Sequence, residues 1–114
     1  SSLTLETACN SIACTLYGVD RPARIISLLG YSFDIEPAAQ SLIMRYIDAP
    51  GRMGVIGTIL GRAGINITTM QIGTRDDSDC ALVYLNVEGD VNESVLDELR
   101  TSIDGLKDLW HISL

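Results

Sequence analysis

The chain reads as an α+β domain with the element order β-α-β-β-α-β over residues 38–114, preceded by a few β-strands of a partial second domain over residues 1–37. Three observations predict this. A strand-like run at 42–47 stops at Asp48-Ala49-Pro50-Gly51 and gives way to a helix-period stretch at 51–63. Two further strand runs, at 66–73 and 79–88, flank the polar segment Arg75-Asp76-Asp77-Ser78-Asp79, whose composition suits a hairpin turn. A second amphipathic helix and a closing strand complete the order, which places two helices on one face of a four-stranded antiparallel sheet.

Residues 9–18 are partly β-branched or aromatic and end at a turn signal, Gly18 with Asp20 and Pro22; a second strand runs over 23–29 to Gly30. Residues 31–36 alternate with period two, with Tyr31, Phe33 and Ile35 on one face and Ser32, Asp34 and Glu36 on a wet one. Pro37, with Ala38, Ala39 and Gln40, marks a boundary.

In the helix at 51–63, Pro50 is expected at the first helical position, where its missing N–H costs nothing. Met53, Ile56, Ile59, Leu60 and Ala63 form its apolar side, and Gly51, Gly54, Gly57 and Gly61 share another face. Each interior glycine costs about 0.5–1 kcal/mol relative to alanine, so this face calls for close approach of a ligand, a partner helix or the sheet. Gly64 suits the left-handed position that ends a helix, with Ile65 as its apolar contact. The second helix, at 92–102, carries Val95, Leu96, Leu99 and Ile103 as its buried stripe, and a strand at 106–112 closes the domain. In this order the elements make a ferredoxin-like fold.

Composition narrows function. With 114 residues and 46% hydrophobic content the chain can bury a core. A net charge of −7 and only 8 basic residues exclude a nucleic-acid footprint and disfavour an anionic membrane. No apolar run approaches the roughly 20 residues of a membrane span. Cys9, Cys14 and Cys80 are odd in number and make no C-x-x-C pair, so neither a disulfide framework nor a zinc site follows; they read as inert thiols in a reducing cytoplasm. Beginning at Ser1 within ordinary polar sequence, the chain is expected to be a piece of something longer.

The corner at 46–53 carries the chemistry. Side chains two apart on a strand share a face, which puts Tyr46 beside Asp48. The N–H groups from Gly51 to about Met53 open the helix without helical partners and, with the helix dipole, favour a carboxylate. Asp48 is the anion at hand for an ammonium, so the corner suits a zwitterion such as an amino acid. Past the helix end at Gly64, Asn66 is expected to enter the next strand beside the start of the first helix or, across a two-fold axis, near a partner's; by itself it reads equally well as a loop amide satisfying backbone.

Other candidates carry less. The glycines run G-x-x-G-x-x-G and not in the dinucleotide pattern. Asp76, Asp77 and Asp79 read as a solvated loop without calcium spacing, and Glu93 with Asp97 as a wet helix face. His111 reads as a strand-end surface residue, and Trp110 as a packing anchor or an interface residue.

Residues 46–67, Tyr-Ile-Asp-Ala-Pro-Gly-Arg-Met-Gly-Val-Ile-Gly-Thr-Ile-Leu-Gly-Arg-Ala-Gly-Ile-Asn-Ile, closely resemble the opening of the ACT regulatory domain at the C-terminus of bacterial D-3-phosphoglycerate dehydrogenases. Met70-Gln71-Ile72-Gly73 continues the match. Gly30 to Pro37 resembles the last strand of the intervening, allosteric-substrate-binding domain of the long-form enzymes.

The resemblance implies L-serine bound between two ACT domains of a homodimer, giving feedback inhibition of serine biosynthesis. The effector set it implies is Tyr46, Asp48 and Asn66, to which the corner adds Gly51, Arg52 and Met53. Ala49 departs from the arginine of many relatives, and Arg52-Met53 from their smaller or aliphatic residues. Arg21 and Arg24 become a possible anion site of the intervening domain. No catalytic residue, metal or cofactor is expected in this fragment, and NAD belongs to the parent enzyme. Two alternatives stay open: the regulatory region of an iron–sulfur L-serine dehydratase, and a dimerisation module without ligand.

Overall fold

A computed structural model describes residues 14–17, 24–28, 30–73, 75 and 79–113, with side chains from residue 30 onward. Three short antiparallel strands, β1 (Cys14–Tyr17), β2 (Arg24–Leu28) and β3 (Tyr31–Ile35), form a first sheet in the order β1-β2-β3. There follow β4 (Gln40–Ile47), α1 (Arg52–Arg62), β5 (Asn66–Gly73), β6 (Cys80–Glu88), α2 (Glu93–Ser102) and β7 (Leu106–Ser113). Their four strands pair antiparallel in the order β5-β6-β4-β7, the ferredoxin-like arrangement read from the sequence. The hairpin residues Asp76 and Asp77 lie outside the described residues, as do Cys9 and Arg21 and the side chains of Cys14 and Arg24.

Pleating divides the side chains of the central strands between two faces. Leu42, Met44 and Tyr46 of β4 and Ala81, Val83, Leu85 and Val87 of β6 meet Ile56, Ile59 and Leu60 of α1 and Val95, Leu96 and Leu99 of α2, with Ile103 beside them. Each large aliphatic side chain buried this way contributes about 1.5–3 kcal/mol. The stripe of α2 is the predicted one. In α1, Ala63 departs from the expected apolar side because it is the exposed C-cap. Asn92 caps α2, its side chain accepting the Val95 N–H at 3.1 Å.

The other face of the sheet is covered by β3. Tyr31, Phe33 and Ile35 lie against Ile43, Leu82 and Tyr84, with Trp110 and Ile112 packed at the side. The period-two alternation of β3 is as read: its dry side meets the sheet and Ser32, Asp34 and Glu36 face water. Trp110 is thereby a packing anchor. Buried Asn86 holds the passage from β3 to β4, donating to the Glu36 carbonyl at 2.8 Å while its Oδ1 accepts from the Ala38 N–H at 3.2 Å and the Ser41 hydroxyl at 3.0 Å. His111, near the end of β7, is partly buried, and its Nε2 bonds Gln40 Oε1 at 2.8 Å.

Candidate functional site

The corner begins where β4 runs out. The Ile47 N–H donates to the Gly105 carbonyl and the Asp48 N–H to the Asp79 carbonyl, both at 3.1 Å, so the strand end is tied on two sides. Gly51 then has φ 88° and ψ −8°, the values of the second central residue of a type II turn in which Pro50 is the first. This corrects the sequence reading of Pro50 as the first helical residue. A type II turn needs a positive φ after its proline, which glycine adopts without a Cβ penalty, and the helix can start only beyond it.

The first helical bond runs from the Val55 N–H to the Gly51 carbonyl at 3.2 Å. The N–H groups without helical partners are therefore those of Arg52, Met53 and Gly54, one residue later than expected. Gly51 offers no side chain to cap them.

Three side chains surround these amides. Tyr46 is 1% exposed, and its hydroxyl donates to Met53 Sδ, a weak acceptor, at 3.5 Å. Burial raises its pKa first and the Asp48 carboxylate raises it further, while the Arg52 guanidinium opposes both. Asp48 is exposed, and its carboxylate has no hydrogen-bond or ion-pair partner among the described residues. Arg52 folds back over the turn, its Nε donating to the Ile47 carbonyl at 3.3 Å. The corner thus gathers one solvated carboxylate, one guanidinium and three amides without helical partners near a buried phenol. That set can accept an ammonium and donate to a carboxylate.

Asn66 lies elsewhere. α1 ends in a Schellman motif, with the Ile65 N–H on the Leu60 carbonyl at 2.9 Å and the Gly64 N–H on the Gly61 carbonyl at 3.1 Å, and Gly64 has φ 74° as predicted. The chain then enters β5 at the far end of the sheet. Asn66 pairs with Glu88 and Ile47 with Cys80, the two ends of the nine-residue β6. At roughly 3.4 Å per residue that separates Asn66 from the corner by about 27 Å. Of the two places expected for Asn66, the one beside the helix start of its own chain is overturned.

The glycine face of α1 does not meet the sheet. A Cβ built at Gly54, Gly57 or Gly61 would find nothing within 4 Å, so of the three reasons for close approach the sheet is removed. Gly51, Gly54, Thr58 and Arg62 instead line a shallow groove closed by Ser102. Sequence reading also missed Asp79, whose carbonyl anchors Asp48; only strand register brings the two together. Glu93 and Asp97 are exposed, as expected, and both face Arg100.

Residues 41–104, which include both the corner and Asn66, match the ACT domain family. The chain belongs to that family. This ACT chain is similar to D-3-phosphoglycerate dehydrogenases. That of Mycobacterium tuberculosis is 33% identical over 97 residues, covering 85% of this chain and 18% of that protein. The enzyme of Methanocaldococcus jannaschii is 32% identical over 90 residues, 79% of this chain and 17% of the relative. For the Bacillus subtilis enzyme the figures are 30% over 81 residues, 71% and 15%. The ACT chain therefore spans less than a fifth of the curated relatives it matches. Among the described residues no helix is long and apolar enough to cross a membrane.

Proposed function

We propose that this chain is the regulatory, amino-acid-binding part of a D-3-phosphoglycerate dehydrogenase, binding L-serine between two ACT domains to give feedback inhibition of serine biosynthesis. The observation that carries the reading is a site divided in two. An Asp48 carboxylate with no partner among the described residues stands at the end of the sheet where α1 opens, and Asn66 stands at the other.

A second copy supplies the missing half. β5 is an edge strand, and Met70 and Ile72 on it are 49% and 46% exposed. Two β5 strands related by a two-fold axis run antiparallel, so each Asn66 arrives at the Gly73 end of the partner's strand, where the partner's corner lies.

In this reading Asp48 receives the ammonium, and the amides of Arg52, Met53 and Gly54 with the Arg52 guanidinium receive the carboxylate. Gly51 sets the turn, and Asn66 comes from the partner. Tyr46 forms the floor through its contact with Met53. Ligand held by both copies favours the paired state, and such coupling is typically about 1–3 kcal/mol.

The chain itself is a binding module in a cytoplasmic enzyme whose NAD and substrate sites lie in the remainder of the parent. Residues 1–37 are the end of its intervening domain, where Arg21 and Arg24 contribute an anion site. Residues 38–114 are the ACT unit.

Thermal unfolding of the chain with each of the twenty amino acids tests this, since ligand at about 100 times its dissociation constant adds about 2.7 kcal/mol. L-serine is expected to raise the midpoint, and Asp48→Ala to abolish the rise with the fold retained. No shift with millimolar L-serine in a dimeric preparation would falsify the serine reading.

A further inference from the structure

The effector corner and β3 lie on opposite sides of one sheet, yet both are fastened to the same strand start. The Asp79 carbonyl accepts the Asp48 N–H at 3.1 Å, and the carbonyl of the next residue, Cys80, accepts the Tyr31 hydroxyl at 3.3 Å. The residue bearing the corner's carboxylate and the first residue of β3 therefore hang on consecutive peptide groups.

Two further contacts grip the adjoining end of β5. Gly73 seats the Phe33 ring so closely that a Cβ there would come within 2.5 Å of Cε2 and Cζ and 3.0 Å from Tyr31 Cβ. Gln71 and the Asp34 backbone bond reciprocally, the Asp34 N–H donating to Oε1 at 2.6 Å and Nε2 to the Asp34 carbonyl at 3.2 Å. Side chains packed this tightly leave no void to absorb a displacement, so a shift of the β5 end or of Asp79–Cys80 must move β3 or break these contacts.

We infer that β3 is the output element of the corner: ligand held at Asp48 and the α1 start displaces the Asp79–Cys80 strand start and the β5 end, and Tyr31, Phe33 and Asp34 carry that displacement into the β1-β2-β3 sheet. The inference rests on the proposed site for where the ligand sits. A passive cover over the second face would respond to overall stability alone and would ignore the corner.

Hydrogen–deuterium exchange of the whole 114-residue chain separates the two. The probe is the peptide covering residues 31–35, and the control covers 93–102 in α2. In the absence of ligand, Pro50→Gly loosens the turn. It is expected to speed exchange at 31–35 by about threefold more than at 93–102, since local opening and global unfolding affect different sets of amides. In a Tyr31→Phe background, which keeps the ring and removes the hydroxyl, that excess is expected to vanish. With saturating L-serine, exchange at 31–35 slows in the native chain. Tyr31→Phe is expected to lose that slowing while keeping the serine thermal shift, and Gln71→Ala to do the same through the second grip.

Equal changes at 31–35 and 93–102 in the Pro50→Gly chain overturn the inference. So does a slowing by serine that survives in both Tyr31→Phe and Gln71→Ala. If serine produces no thermal shift at all, the serine reading fails and the ligand-free comparison alone decides the coupling.

Discussion

Tyr46 concentrates the electrostatics of the corner in one titrating group. Its ordinary pKa of 10.0 is raised by burial and by Asp48 and lowered by Arg52. Asp48→Ala is therefore expected to bring the Tyr46 titration down and Arg52→Ala to take it further up, read by tyrosinate absorbance with Tyr46→Phe as the assignment control. The folded pKa lies above the unfolded one, so the folded state holds its proton longer. The stability this contributes is present below pH 10 and is lost as pH rises from there through the folded value; Tyr84, raised by burial against the opposing Ser41 bond, adds in the same direction. At this scale the sequence was readable by half. Period two put Tyr46 and Asp48 on one side, but the thioether of Met53 as the phenol's partner depends on how α1 packs. The same holds for Asn86, an ordinary strand polar residue in sequence. Asn86→Ala removes the partners of the Glu36 carbonyl and the Ala38 N–H, and is expected to cost about 1–3 kcal/mol in urea unfolding.

Among the elements, α1 carries glycines of two kinds that the sequence alone does not distinguish. Gly51 sits at φ 88°, so Gly51→Ala is expected to destabilise by about 1–2 kcal/mol through left-handed strain. Gly57 lies inside the helix with nothing near its missing Cβ, so Gly57→Ala is expected to stabilise the chain by about 0.5–1 kcal/mol. Paired denaturant titrations of the two variants check the opposite signs; a loss at Gly57 would mean that a partner chain rests on that face. The helix ends were legible where the signal is chemical: Gly64 for the Schellman stop and the apolar stripe of α2. The start of α1 was misplaced because Pro50-Gly51 fits both a helix opening and a type II turn, and the choice depends on how the strand end is held by Asp79 and Gly105.

In the molecule as a whole the two edges of the four-stranded sheet, β5 and β7, are not equivalent. β5 presents Met70 and Ile72 to water, and an exposed apolar edge invites pairing. Met70→Lys with Ile72→Lys is expected to leave a folded monomer that has lost the serine shift, read by light scattering and thermal unfolding; a dimer that persists would place the interface elsewhere. The sequence by itself determined the order of elements, the apolar stripe of α2 and most of that of α1, and the residues of the corner turn, because periodicity and turn chemistry act over a few neighbours. Only the tertiary structure decided that Asn66 and Asp48 stand at opposite ends of the sheet, that β3 closes the second face, and that Pro50 precedes the helix. Those depend on which distant strands pair and in what register, and that is set by burying two apolar faces of one sheet at once.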